Sequence, residues 1–383
     1  MPSLDEYARA KLSSLEQRQL RRTLVETDRQ DGAIAYRDGR RMVSFSCNDY
    51  LNMSHHPDVV RAATEATARY GVGSGASRLI TGNHPLFREL EGRLARLKGA
   101  EDACVFGSGY LANLGIIPTL MGPEDLILAD EWSHSCILAG GAISKARQFV
   151  FRHNDVDHVE ELLAEHRAAH PRALIVTDGV FSMDGDMAPV PALADVADKY
   201  DAWLMTDDAH GVGVIGGGRG STHATGAQGR VPLQMGTLSK AIGGYGGYLC
   251  AAEPVIDLMR TRSRTFIYST GLPPAAAAAA IAAIDVIERD PEYVALPMAK
   301  AGLFAELVGL PAPESCIVPI ALGDPARTLA ASKMLEDEGY IVTAIRPPTV
   351  PDGTARLRFT FTAGHEDSDV RRLAEIVLDR VLA

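Results

Sequence analysis

Between residues 103 and 251 the chain repeats one pattern seven times: four or five apolar residues, often β-branched, followed in most cases by a helix-length stretch. The runs fall at 103–106, 126–129, 148–151, 173–177, 203–206, 233–236 and 247–251. Runs this short and this uniformly apolar have no polar face to give to water, so both faces need cover. A sheet with helices on either side provides it, and helical patterns at 157–169 and 191–200 supply two of those helices. The expectation is an α/β fold: a large domain built on a mainly parallel, roughly seven-stranded sheet flanked by helices. From residue 275 the texture changes to a long alanine-rich helix and then to shorter pieces at 317–321, 326–338, 342–345, 356–361 and 366–382. We therefore divide the chain into an N-terminal helical segment, 1–44, packing beside the later domain; a large domain, 45–280; and a smaller α+β C-terminal domain, 281–383.

Composition removes several classes of function. The 383 residues carry a net charge of −11 and no basic run, which argues against a nucleic-acid or anionic-membrane partner. No apolar stretch approaches the roughly 20 residues of a bilayer span. The opening "MPSLDEYARAKLSSLEQRQLRR" is charged and amphipathic, unlike a signal peptide. Five scattered cysteines without a CxxC pair read as reduced thiols of a cytoplasmic protein.

In open α/β sheets ligands gather at the carboxyl ends of the strands. Five of the seven runs end in polar residues: "GSGYLAN" after the first, "DEWSHS" with His134 after the second, and "DGVFSMDG" with Asp178, Ser182 and Asp184 after the fourth. "DDAHG" with Asp207, Asp208 and His210 follows the fifth, and Thr237, Ser239 and Lys240 follow the sixth. Alone, each has an ordinary explanation as a cap or turn; together they converge on one crevice. Three other motifs fail their context. "GVGVIG" (211–216) is followed by a loop instead of a helix, "HRAAH" (166–170) lacks the glutamate of a zinc site and ends a helix, and no GxSxG elbow is present. We assign no metal site.

A lysine, carboxylates, histidines and an anion cradle at one edge are the requirements of pyridoxal phosphate chemistry. The lysine amine forms a Schiff base, a carboxylate keeps the pyridine nitrogen protonated, and helix N–H groups with hydroxyls hold the phosphate.

The residues that carry this pattern resemble the α-oxoamine synthases, which have the aspartate-aminotransferase (type I) fold. The likeness runs through "FSCNDYLNMSHHP" (45–57), "GSGASRLITGNHPLFRELE" (73–91), "TDGVFSMDGDMAPV" (177–190), "DDAHGVGVIG" (207–216), "GTLSKAIGGYGG" (236–247) and "IYSTGLPP" (267–274). It implies that Lys240 holds the cofactor and moves the substrate α-proton, that Asp207 pairs with the ring nitrogen, that His210 bonds the ring hydroxyl and that His134 stacks on the ring. It further implies Ser108, Gly109, Tyr110, Thr237 and Ser239 at the phosphate, Ser182 near the ring hydroxyl, and Thr270 on the cofactor of a partner subunit in a homodimer. Arg358 would hold an amino-acid carboxylate, and Asn48 and Arg21 would face the acyl substrate. Two positions depart from the family pattern: Asn52 stands where glycine is usual and Asp178 where glutamate is common. The segment 343–366 looks most like the biotin-pathway members, which join L-alanine to a pimeloyl group carried by CoA or a carrier protein. The alternatives are a glycine-using sibling, of the 2-amino-3-ketobutyrate CoA ligase or 5-aminolevulinate synthase type, and a non-catalytic partner subunit.

Overall fold

The computed structural model describes residues 2–18 and 20–382. Its centre is a seven-stranded sheet in which the strands Asp102–Phe106, Gly247–Ala251, Leu233–Thr237, Trp203–Asp207, Ala173–Asp178, Leu126–Asp130 and Arg147–Phe151 lie side by side in that order. Only Gly247–Ala251 runs against its neighbours; the pairs from 147–151 across to 233–237 are parallel. Four strands, Leu126–Asp130, Ala173–Asp178, Leu233–Thr237 and Gly247–Ala251, are buried at every residue, as their unbroken apolar character demands. The edge strand Arg147–Phe151 is partly exposed, with Phe151 alone fully buried. Each sequence-predicted strand is found, within a residue or two at its ends.

Because Gly247–Ala251 runs backwards, its first residue lies at the same sheet edge as the carboxyl ends of the others. Gly247 stands opposite both Thr237 and Phe106, and Asp178 stands opposite Asp207. This edge is where the polar strand exits collect.

The smaller part carries an antiparallel sheet with Ala355–Thr360 between Ile317–Gly323 and Thr343–Ile345. Residue 280, taken above as a domain limit, lies inside the helix Pro274–Arg289, which packs against the helices Pro57–Tyr70 and Pro85–Lys98 of the large part. The apolar core is continuous from one part to the other, joining Leu90 and Leu94 to Ile284, Phe304 and Phe359.

The N-terminal segment differs from its expectation. A helix, Pro2–Gln17, is present, with Leu4, Tyr7 and Leu12 on it exposed. Residues 28–44 are not helical. They form three antiparallel strands, Asp28–Asp31, Ile34–Arg37 and Arg40–Ser44, and the last pairs in parallel with Tyr340–Ile341 of the small part. The physical reason is visible in the sequence as two Asp-Gly pairs at 31–32 and 38–39. At the second, Asp38 and Gly39 both have positive φ (50° and 75°), the signature of a tight hairpin that Asp-Gly favours.

Candidate active site

Lys240 leaves the sheet edge three residues after Thr237. Its Nζ lies 2.8 Å from His210 Nε2, and no carboxylate forms an ion pair with it among the described residues. Burial lowers its pKa to about 8, with Asp207 and Asp178 opposing the shift and Arg358 adding to it. His210 is buried and its pKa is pushed well below the ordinary value, first by burial and then by the charges of Lys240 and Arg358. It is therefore neutral. The ammonium has no lone pair, so it donates to Nε2, which leaves the proton on Nδ1 to reach Tyr50 Oη at 2.6 Å. Tyr50 in turn donates to Asn48 Oδ1 at 3.2 Å.

Arg358 closes this network. Its Nη1 and Nη2 each donate to Asn48 Oδ1 at 3.3 Å, Nη2 reaches Tyr50 Oη at 3.5 Å, and Nε donates to the Ser182 carbonyl. The side chain is only 6% exposed, yet no carboxylate pairs with it among the described residues. A buried guanidinium supplied only with neutral acceptors keeps its affinity for an incoming carboxylate.

Asp207 ends its strand at 5% exposure. Oδ1 accepts from the Ala209 N–H at 3.0 Å and Oδ2 from Asn113 Nδ2 at 2.7 Å. Opposite it, Asp178 is buried and its pKa is raised well above the carboxylate range, first by burial and then by the charge of Asp207. His134 caps the helix Ser135–Ser144, and its pKa is lowered by burial and Lys240, against the pull of Asp207. Its Nδ1 contacts Cys136 Sγ at 2.8 Å, and the same sulfur lies 3.0 Å from Asn113 Nδ2, which links His134 to Asp207.

The helix Gly109–Leu120 begins at the same edge. Ser108 caps it by accepting from Leu111 N at 3.1 Å, and the first N–H groups, on Gly109 and Tyr110, have no acceptor within the helix. Thr237 Oγ1 lies 2.8 Å from Ser239 Oγ beside them. The approach is close: a Cβ on Gly109 would meet Thr237 Cβ at 3.4 Å, and one on Gly247 would stand 2.5 Å from the Ser108 carbonyl oxygen. Glycine at both positions lets the helix start sit against the hydroxyls, which makes an anion cradle. Cradle, lysine of lowered pKa and isolated carboxylate fit pyridoxal phosphate.

A cleft of about 1150 Å³ opens beside this cluster. Its lining includes His134 and Ser182 but not Lys240, Asp207 or His210. The cluster thus borders the cleft through His134 and Ser182, and the lining also includes Trp132, Leu138 and Pro347–Val350. Arg21 does not line it. That side chain is exposed and pairs with Glu16 at 3.0 Å, while Arg18 and Arg22 face the cleft instead. Thr270 is exposed and bridges to Ser77, with no hydrogen bond to the Lys240 cluster among the described residues. Asp208 of the "DDAHG" pair turns away to Lys98. The two histidines of "HRAAH" are engaged separately: His166 stacks on Phe149 and His170 Nδ1 meets the Glu124 carbonyl at 2.8 Å.

Sequence reasoning gave no role to Tyr50 or Asn113. Asn113 had a readable signal, since it is a lone amide in the otherwise apolar helix "YLANLGII". Tyr50 had none, because only the fold brings residue 50 to residue 210.

The aminotransferase class I and II family model matches residues 40–377. The 8-amino-7-oxononanoate synthase of Beijerinckia indica is 60% identical over 377 residues, covering 98% of each chain. That of Methylocella silvestris is 64% identical over 345 residues, 90% of this chain and 98% of its own. Among solved structures, a serine palmitoyltransferase from S. paucimobilis with PLP and myriocin bound superposes with a TM-score of 0.90 at 29% identity, covering 98% of this chain and 97% of its own. The chain belongs to the class I and II aminotransferase family and, within it, to the α-oxoamine synthases, most like the 8-amino-7-oxononanoate synthases.

Proposed function

We propose that this protein condenses L-alanine with a pimeloyl thioester to give 8-amino-7-oxononanoate, carbon dioxide and the free thiol carrier, as a step of biotin biosynthesis. One observation carries the reading: Lys240 faces a histidine held neutral instead of a carboxylate, within a network that ends on the carboxylate-free guanidinium of Arg358. The names of the relatives support the substrates.

Pyridoxal phosphate, when bound, supplies an aldehyde for the lysine and a ring that draws electrons from the substrate α-carbon. Lys240 would hold it covalently and, when free, would move the substrate α-proton, a task suited to an amine whose pKa lies near 8. Asp207 places its charge beside the ring nitrogen, with Asn113 and the Ala209 N–H fixing the carboxylate. His210, its tautomer set by Tyr50, would bond the ring hydroxyl with Ser182 near it, and His134 would stack on the ring. Ser108, Gly109, Tyr110, Thr237 and Ser239 hold the phosphate. Arg358 takes the alanine carboxylate in a bidentate pair. Asn48, which already touches Arg358, faces the acyl side, and Arg21 would join it there on leaving its pair with Glu16.

The enzyme acts as a homodimer in the cytoplasm, with Thr270 reaching the phosphate of the other subunit's cofactor. Support comes from Val72, Leu79, Ile80 and Tyr268, large apolar side chains left exposed near the Ser77–Thr270 bridge. All five cysteines are free, and among the described residues no helix is long and apolar enough to cross a membrane.

The test is a product assay with alanine or glycine, each offered pimeloyl-, acetyl- or succinyl-CoA. We expect 8-amino-7-oxononanoate from alanine and pimeloyl-CoA as the dominant product. Dominant turnover of glycine with a shorter donor would replace this reading by the glycine-using one.

A further inference from the structure

A cleft of about 1150 Å³ exceeds the need of a three-carbon amino acid, and pockets of roughly 300–1,000 Å³ already enclose much larger ligands. Its reactive end is His134, and two residues earlier on the same loop stands Trp132, 39% exposed and part of the cleft wall. Leu20, Leu138, Phe181 and Pro348 continue the apolar surface around it.

What sets Trp132 apart is how it is held. Behind it the His153 ring stacks at 3.9 Å between centroids with an interplanar angle of 18°. His153 is clamped in turn, with Nδ1 3.1 Å from Asp130 Oδ1 and Nε2 2.7 Å from Asp186 Oδ2. Burial disfavours its charge, but the two carboxylates outweigh burial and raise the pKa to about 9, so the indole rests on an imidazolium. Asp130 is fully buried and also accepts from the Trp132 and Asn154 N–H groups, both at 2.8 Å. Ring and backbone of Trp132 therefore share one anchor. A tryptophan needed only for packing would be covered, whereas this one is pinned from behind and left facing a cavity, as a preformed contact surface requires.

We propose that Trp132 is a specificity-determining wall against which the acyl chain of the thioester donor lies while its carbonyl carbon sits at the His134 end of the cleft. The inference rests on the acyl-transfer reading above and deepens it. A flat, rigid, apolar face suits a methylene chain, and its distance along the cleft from the reactive end sets which chain lengths are favoured.

Two experiments test it. In steady state, Trp132→Ala should raise KM for pimeloyl-CoA about tenfold or more, with kcat and the alanine KM much less affected, because the lost contact is made by the donor alone. The preference for pimeloyl- over acetyl- and succinyl-CoA should flatten, and Trp132→Phe, which keeps a ring, should restore most of it. Separately, Trp203→Phe leaves Trp132 as the only indole of a chain that has two tryptophans. In that holoenzyme, titration with pimeloyl-CoA in the absence of alanine should change the emission saturably. An unchanged donor KM and chain-length profile in Trp132→Ala, or an emission that does not move at saturating donor, would overturn the wall. Wild-type protein in which pimeloyl-CoA perturbs Trp132 but forms no 8-amino-7-oxononanoate would support the wall and overturn the proposed reaction.

Discussion

Two lysines serve the strand exit at Asp207 and Asp208 differently, Lys98 fully buried and Lys240 partly buried. Lys98 ends the helix Pro85–Lys98, and its Nζ is 2.6 Å from Asp208 Oδ2 and 2.6 Å from the Arg219 carbonyl, with both charged side chains at zero exposure. Asp208 spends its remaining capacity on the Ser221 N–H, at 3.0 Å from each oxygen. Every charge there is answered. Lys240, by contrast, faces the neutral imidazole of His210, and Asp207 is engaged by Asn113 and the Ala209 N–H. Adjacent aspartates thus divide the work: Asp208 neutralises a lysine and ties the helix to the sheet, while Asp207 leaves its lysine unpaired. A buried amine without an anion gives up its proton more readily and is open to a carbonyl compound. The residue type is shared, so the difference between structure and chemistry here lies in the partner and in Lys240 being only partly buried where Lys98 is closed off from solvent.

The largest effect that would sharpen this contrast is on turnover. Lys240→Ala should lower product formation about 10³-fold or more while the thermal unfolding profile stays close to wild type, which parallel activity and calorimetric measurements would check. Lys98→Met should do the reverse. It leaves Asp208 buried and unpaired, so stability should fall by about 3–5 kcal/mol in denaturant titration, with kcat per folded molecule nearly unchanged. Matched stability losses in the two variants would break the comparison.

The aspartates allow a finer test. Asp207→Asn should retain cofactor but slow exchange of the alanine α-proton about 100-fold, because the neutral amide no longer holds the ring nitrogen positive. Asp208→Asn should leave exchange near normal and lose stability instead. Proton exchange followed by NMR separates the two outcomes.

The smallest expected effect concerns a third buried base without an acidic partner. His365 stacks on Phe45 at 3.9 Å, and burial lowers its pKa to about 4. Its unfolded form takes up a proton near the ordinary pKa of 6.5, so the unfolded state binds more protons between these values. Stability from this group is complete above about pH 6.5 and is lost as pH falls toward 4, a few kcal/mol at most. Replacing His365 by Gln should flatten that part of the stability–pH curve. An unchanged slope would show that burial does not keep a base without an acidic partner neutral in this fold.

Much of this arrangement was legible before any coordinates. Period and strand length gave the sheet because its central strands are buried on both faces and cannot disguise themselves with polar residues. The convergence of His134, Asp207, His210 and Lys240 followed from their places just after strands, since a parallel sheet brings all such exits to one edge. What escaped was set by contacts distant in sequence. Asp207 and Asp208 look alike until Lys98, 110 positions from Asp208, selects one of them. Tyr50 becomes the partner of His210 across 160 positions. The hairpins at 28–44 were legible in their Asp-Gly turns and were passed over in favour of the helix that precedes them. Arg21 follows from the family pattern, yet it lies in irregular chain beyond the helix Pro2–Gln17, where no repeat fixes which arginine points inward, and here Arg18 and Arg22 face the cleft.

The most direct measurement is borohydride reduction of the purified holoenzyme followed by peptide mapping by mass spectrometry. We expect the pyridoxyl mass on the peptide containing Lys240 and none on the peptide containing Lys98. A label on any other lysine, or none at all, would contradict the claim that the unpaired amine at this strand exit is the one that holds the cofactor.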